Sequence, residues 1–260
     1  SLITHSAAGS SRVGTIYIDV QSGSTYIYGN VNANAKGYSD TYGPGAGSNG
    51  GTGAGGGAYG GDGGDGRTRA GGLAYGNYAE PNQIGSAGGY CDANAGDGGG
   101  SIKLTAEGGA VTVNGTITSN GDDGGNSCSW NDHGSGGGAG GSIWITANTL
   151  DGSGNITANG GHANDSKYDG GGGSGGRIAL YYTTDNSTLT TLSAVGGIGR
   201  TYAQYGGAGT IYKKAAGAAN GDLIVRGRSG AGNDRGNMAN TPLDDDAANN
   251  LTYDSLTIDD

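Results

Sequence analysis

The stretch Gly136-Gly137-Gly138-Ala139-Gly140-Gly141-Ser142-Ile143-Trp144-Ile145 decides how this chain is read. A glycine run leads without a break into a segment whose apolar residues stand two apart, the period of a half-buried β-strand. The junction recurs as Gly99-Gly100-Ser101-Ile102-Lys103-Leu104, Gly175-Gly176-Arg177-Ile178-Ala179-Leu180 and Gly209-Thr210-Ile211-Tyr212. Onsets at residues 101, 142, 177 and 210 fall at the spacing of stacked repeats. A second short strand follows each of the first three, in Gly115-Thr116-Ile117-Thr118-Ser119-Asn120-Gly121, Gly154-Asn155-Ile156-Thr157-Ala158-Asn159-Gly160 and Thr191-Leu192-Ser193-Ala194. Near the N-terminus, Thr15-Ile16-Tyr17-Ile18 and Gly29-Asn30-Val31-Asn32-Ala33-Asn34 obey the same order. The repeating unit is strand, turn, strand and glycine-rich return.

Each unit has too few apolar residues to bury a face alone, so the units must stack. The expected fold is therefore all-β with a repeat architecture: β-solenoid or β-helix-like, or a sandwich of stacked short strands, with ordered glycine segments of the polyglycine II kind. Asn34, Asn120 and Asn159 recur after the second strand, where Asn tolerates the left-handed backbone of a corner; a corner role is expected of them rather than an inward ladder. The glycine runs have two readings, packed extended segments or mobile linkers, and their constant phase with the strands favours packing. Four regions follow: a first unit over 1–37, a Gly/Tyr-rich insert over 38–99, stacked repeats over 100–225, and a polar linker with a C-terminal strand over 226–260.

Composition narrows the function. Glycine supplies 63 of 260 residues, 33% are hydrophobic, and 16 Tyr and 2 Trp stand against no Phe, which suits a thin core whose ring edges reach water. A net charge of −10 excludes nucleic acid and anionic membranes as natural partners. No apolar stretch reaches membrane-spanning length, and no leader precedes Ser1, which reads as the start of a mature or excised part of a longer chain. Cys91 and Cys128 are the only cysteines, each in a polar loop; a disulfide is expected, with two free or metal-binding thiols as the alternative, and an oxidising compartment follows if it forms.

The ordered series GGGSIKLTA, GGAGGSIWITA, GGGGSGGRIALYY and GGAGTIYKK, with GTITSNG and GNITANGG between, resembles the glycine-rich tandem modules of very large bacterial surface and secreted fibrous proteins, over residues 10–225. That resemblance implies an extracellular structural or adhesive role and no reaction. The glycine runs alone are also similar to those of phage tail-fibre tip adhesins.

The leading expectation is a non-enzymatic subunit or tandem module of an extracellular fibre or surface layer. It would partner itself head to tail by strand addition, through Leu251, Tyr253, Leu256 and Ile258 at one end and Leu2 and Ile3 at the other. A second expectation is an adhesin whose insert contacts glycans through Tyr38, Tyr42, Tyr59, Tyr75 and Tyr78; the alternative is that these rings only shield glycine-rich backbone from water. A third is a polysaccharide-active enzyme, since Asp122-Asp123, His133-Gly134 and Arg177-Ile178 follow the order of elements in pectin hydrolases. Against it, that family's first Asn-x-Asp element is missing and Ala179 stands where its lysine belongs. No cofactor is expected. Residues 61–66 resemble part of a calcium-binding Gly/Asp nonapeptide, and Asp244-Asp245-Asp246 offers oxygens, but a solvated acidic turn is the default for both. Sequons place acceptor asparagines for glycosylation at Asn114, Asn155, Asn164, Asn186 and Asn250.

Overall fold

The structure is a computed structural model, and it describes residues 1–11, 14–91, 94–125, 134–163, 169–228, 238–243 and 253–259. Among these the chain is all-β, with no helix. Its strands in chain order are β1 (Leu2–Ile3), β2 (Ile16–Asp19), β3 (Thr25–Ile27), β4 (Asn30–Asn32), β5 (Ser101–Val113), β6 (Thr116–Thr118), β7 (Ser142–Asp151), β8 (Asn155–Thr157), β9 (Arg177–Asp185), β10 (Thr191–Ser193), β11 (Thr210–Ala215), β12 (Asp222–Arg226) and β13 (Ser255–Asp259).

Two sheets result. The small one runs β1-β4-β6-β8-β10; the large one runs β13-β12-β11-β9-β7-β5-β2, with β3 beside β2 on β5. Every strand pairing is parallel except β11 with β12. Parallel pairing brings equivalent residues of successive units into line. Ile16, Ile102, Ile143, Ile178 and Ile211 form one row of the large sheet, and Val31, Ile117, Ile156 and Leu192 one row of the small sheet. These rows face each other and, with Leu104, Ile145 and Leu180, make one continuous core. The alternate residues, Tyr17, Lys103, Trp144, Ala179 and Tyr212, form a row on the outer face.

The first strand of each unit is longer than its sequence signal. β5 and β7 stay paired beyond their apolar starts, with a register irregularity between Ala106 and Ala110 where β5 carries Gly108 and Gly109. At the corner that follows β7, Gly152 has φ 101°, a conformation L side chains rarely adopt, and a Cβ there would collide with the Val113 carbonyl.

The asparagines do more than turn a corner. Asn34 Oδ1 accepts the Asn120 N–H at 2.8 Å, Asn120 Oδ1 accepts the Asn159 N–H at 2.7 Å, and Asn159 Oδ1 accepts the Val195 N–H at 3.0 Å. None of the three has positive φ. The expected left-handed corner role gives way to a ladder running from unit to unit. Its physical basis is that an amide oxygen held at a constant position can satisfy the backbone donor one rung along.

The glycine returns are bonded with a period of three. The N–H groups of Gly136 and Ala139 donate into the insert, to Gly89 and Ser86; those of Gly137 and Gly140 donate to Gly171 and Ser174 of the next return; those of Gly138 and Gly141 donate to Asp122 and Ser119. Residues 171–176 repeat the scheme: Gly171 and Ser174 donate to Ala54 and Gly57, Gly172 and Gly175 to Gln204 and Gly207, Gly173 and Gly176 to Gly161 and Ala158. The amides of both segments thus bond outward in three directions with a period of three, and none bonds within its own segment. The insert, which has no strand among its described residues, forms a further layer of this array.

No glycine in residues 55–64, 136–141 or 170–176 has positive φ, so conformational freedom is not what these positions require. They require room. A Cβ on Gly173 would be driven into the Gly138 carbonyl, one on Gly56 into Gly172 and one on Gly171 into Gly64. Gly173→Ala should therefore destabilise the chain at or above the roughly 1–3 kcal/mol typical of overpacking, because backbone cannot rotate away as a side chain can. Gly51→Ala, whose Cβ would meet nothing within 4 Å, should leave the denaturant midpoint unchanged. Equal melts for the two variants would show that the array tolerates side chains.

Candidate functional site

The outer face of the large sheet carries the densest collection of functional side chains. Its first row is polar: Ser101, Ser142, Arg177 and Thr210 stand in register. Ser142 Oγ donates to the Gln83 carbonyl at 2.7 Å and lies 3.0 Å from Ser101 Oγ. Arg177, fully buried, donates from Nε and Nη2 to the Tyr75 carbonyl at 3.2 and 3.0 Å and from Nη1 to Thr210 Oγ1 at 3.3 Å. Its guanidinium also lies 5.5 Å from the centre of the Tyr59 ring. These bonds pin residues 75–83 of the insert across the sheet as a strap, and Tyr181 Oη adds a bond of 2.8 Å to the Ala79 carbonyl.

Under and beside the strap lie aromatic rings. Trp144 and Tyr181 are 6.2 Å apart, Tyr181 and Tyr212 5.9 Å, and Tyr78 caps Tyr212 at 5.4 Å and Tyr253 at 6.0 Å. Burial pushes the Tyr181 and Tyr212 phenols up, so both stay neutral donors at physiological pH. Beside Pro81 and Asn82 of the strap, a groove of about 270 Å³ opens onto Tyr17, Lys103 and Trp144. The Lys103 ammonium sits 3.8 Å from the centre of the Trp144 ring.

The tyrosines singled out in the insert divide. Tyr59 is wholly buried, and Tyr75 spends its hydroxyl on the Ile84 carbonyl and Ser86 Oγ, so this pair, 5.0 Å apart, is interior packing. Tyr38 is half-buried, Tyr42 is exposed, and Tyr78 belongs to the ring cluster. Tyr17 and Trp144, which line the groove, carry a signal in the sequence only as outward-alternating strand residues.

The hydrolase-like residues are engaged in architecture. Arg177 holds the strap; Asp123 Oδ1 accepts the His162 N–H at 2.7 Å and Asp122 Oδ1 the Asp123 N–H at 3.0 Å, while His133 lies outside the described residues. Asp62 and Asp65 use their carboxylates on the Ala74 and Gly71 amides at 2.8 and 2.9 Å, which gives residues 61–66 a turn-forming role. Among the described residues no group of three or more His, Cys, Asp or Glu is placed to hold a metal; residues 244–246 lie outside them. Of the sequon asparagines, Asn114 and Asn186 are exposed and Asn155 lies half-buried on β8, while Asn164 and Asn250 are outside the described residues. Cys91 is 1% exposed, its N–H bonded to Ser135 Oγ at 3.1 Å; Cys128 lies outside the described residues.

Comparison with protein families, curated proteins and solved structures finds no match to this chain.

One carboxylate in the glycine array is strongly perturbed. Asp97 is pushed up to about 6, first by burial and then by the charges of Asp122 and Asp40, against the pull of Lys36. Between the ordinary 3.8 and about 6, the folded chain keeps a proton that the unfolded chain has released, so this group makes stability fall as pH rises through that window. Asp97→Asn removes the ionisation. Calorimetric melting should show the variant gaining on the wild type between about pH 4 and about pH 7; a constant difference in melting temperature would refute the assignment.

Proposed function

We propose that this chain is a structural module of an extracellular fibre or surface layer, whose units stack as coils of a β-solenoid and which joins its neighbours head to tail by strand addition. One coil is a strand of the large sheet, a corner, a strand of the small sheet and a glycine return. The residues that support the sequence resemblance to bacterial fibrous modules are the ones that set this coil: the glycine run, the Ile rows and the Asn ladder.

The observation that carries the proposal is the offset between the two sheets at their ends. At the N-terminal end, β1 extends the small sheet one strand beyond β4, while the large sheet ends with β2 and β3. At the other end, the small sheet stops at β10 while the large sheet continues through β11, β12 and β13. Ile3 pairs with Val31 and so continues the inward row Val31, Ile117, Ile156 and Leu192. Ile3 is 46% exposed, and Leu192 and Ile224 at the opposite end are only partly buried. Each end thus leaves inward-row side chains incompletely covered. Large exposed apolar side chains also gather at these ends: Leu2, Tyr26 and Tyr28 at one, Leu256 and Ile258 at the other. β13 is seated on its own β12, so its contribution to a junction is its outer edge, while Tyr253 packs on Tyr78 and Leu251 lies outside the described residues. An exposed edge is a liability that isolated domains blunt and that fibres use. The neighbour is either a further repeat of a longer polypeptide or a separate protomer.

Analytical ultracentrifugation and negative-stain imaging test this. Association should rise with concentration, and Ile3→Asp or deletion of residues 250–260 should each leave shortened assemblies or monomers. Filaments of unchanged length from both variants, or a wild type that stays monomeric at every concentration, would overturn the proposal.

A Cys91–Cys128 disulfide is part of the same reading, since it would close the base of the insert and belongs to an oxidising compartment. No free cysteine is found among the described residues. Non-reducing mass spectrometry should find the bonded mass, and two alkylatable thiols in native material would count against an extracellular site.

A further inference from the structure

We propose that the groove beside the strap is a binding site for an acidic polysaccharide, with a pyranose ring lying on Tyr17 and a uronate carboxylate on Lys103. This goes beyond the assembly reading: the groove opens on the outer face of the large sheet and reaches its end strand β2.

The sheet register places the parts. Tyr17 pairs with Lys103 and Lys103 with Trp144, so the three side chains project from adjacent strands to the same face. Two strand spacings separate the rings, about 10 Å. Lys103 fills the strand position between them. Tyr17 is 58% exposed, so its ring is available without rearrangement. Trp144 is held from behind by Tyr181 at 6.2 Å, which fixes its orientation. Trp144 is half-buried with the Lys103 ammonium over its ring, so it positions Lys103 and leaves the sugar contact to Tyr17. A volume of about 270 Å³ lies just under the usual range of small-ligand sites and admits a single sugar residue.

Charge selects the class of sugar. The Lys103 ammonium lies over the Trp144 ring, 3.8 Å from its centre, and no carboxylate among the described residues pairs with it. A cation held over an aromatic face retains most of its capacity for an anion, since the ring quadrupole neutralises no net charge. The contrast with Lys213 is informative: that ammonium is satisfied by Asp185 at 2.7 Å. The hydroxyl of Thr15 and the side chain of Asn82 border the groove, where sugar hydroxyls would meet them. The chain as a whole carries −10, so its overall field repels a polyanion. Retention of one would have to come from a local site.

Isothermal titration with polygalacturonate and with neutral dextran tests this. Polygalacturonate should bind and dextran should bind more weakly. Tyr17→Ala and Lys103→Met should each weaken polygalacturonate by about tenfold, the scale of one lost aromatic or charged contact. Tyr17 is exposed, so its truncation should leave the melting temperature in place and the result interpretable. Lys214→Met, on the same face outside the groove, serves as the charge control and should bind as the wild type does. Three outcomes would overturn the proposal: no heat with polygalacturonate, dextran binding as tightly, or Lys214→Met weakening the interaction as much as Lys103→Met.

Discussion

The approach of backbone to backbone without intervening side chains is the constraint on which the rest of this structure depends. In residues 136–141 and 171–176 every N–H finds a carbonyl on another segment, and the three directions of bonding alternate with a period of three. Such packing satisfies buried amides without a sheet, and it does so only when the segments approach closely enough to leave no space for a Cβ. The high glycine content is thus a packing requirement. Polar backbone here does the space-filling that side chains do in an ordinary core, and only the two facing sheets supply a conventional apolar interior.

That division of labour explains the thinness of the hydrophobic component. A chain with 33% hydrophobic residues has little to bury, yet its apolar side chains are concentrated in rows that repeat from strand to strand. Parallel, in-register pairing lets one residue type serve the same position in each unit, as the isoleucines do in the large sheet and the asparagines do at the corners. Nearest-neighbour stacking has a structural consequence at the ends, because the last row on each side has no neighbour to cover it. Exposed Ile3 and partly buried Leu192 and Ile224 are the two faces of that incompleteness.

The insert links the two kinds of packing. Its glycines join the array, while its strap at residues 75–83 crosses the outer face of the large sheet and is fastened by Ser142, Arg177 and Tyr181. Arg177 shows how a charged residue is accommodated in so dry a place: it donates to backbone carbonyls and a threonine hydroxyl and lies against the Tyr59 ring. Pro81 and Asn82 of the strap form one wall of the groove whose other side is Tyr17, Lys103 and Trp144.

The sequence by itself determined the all-β character, the positions at which strands begin and which residues of each strand face inward, because alternation of apolar residues is a local property that survives without knowledge of neighbours. It also placed the glycine runs in phase with those strands. Tertiary structure alone decided which runs bond to which, since a glycine segment has no side chain to encode a partner and its amides pair with whatever carbonyl the stacked strands bring near. The Asn ladder was hidden for a related reason: Asn34, Asn120 and Asn159 read locally as corner residues, and only the register between units sets each amide oxygen opposite the next backbone donor. The groove was the least legible element. Tyr17, Lys103 and Trp144 lie far apart in the chain, and parallel pairing across β2, β5 and β7 is what makes them neighbours.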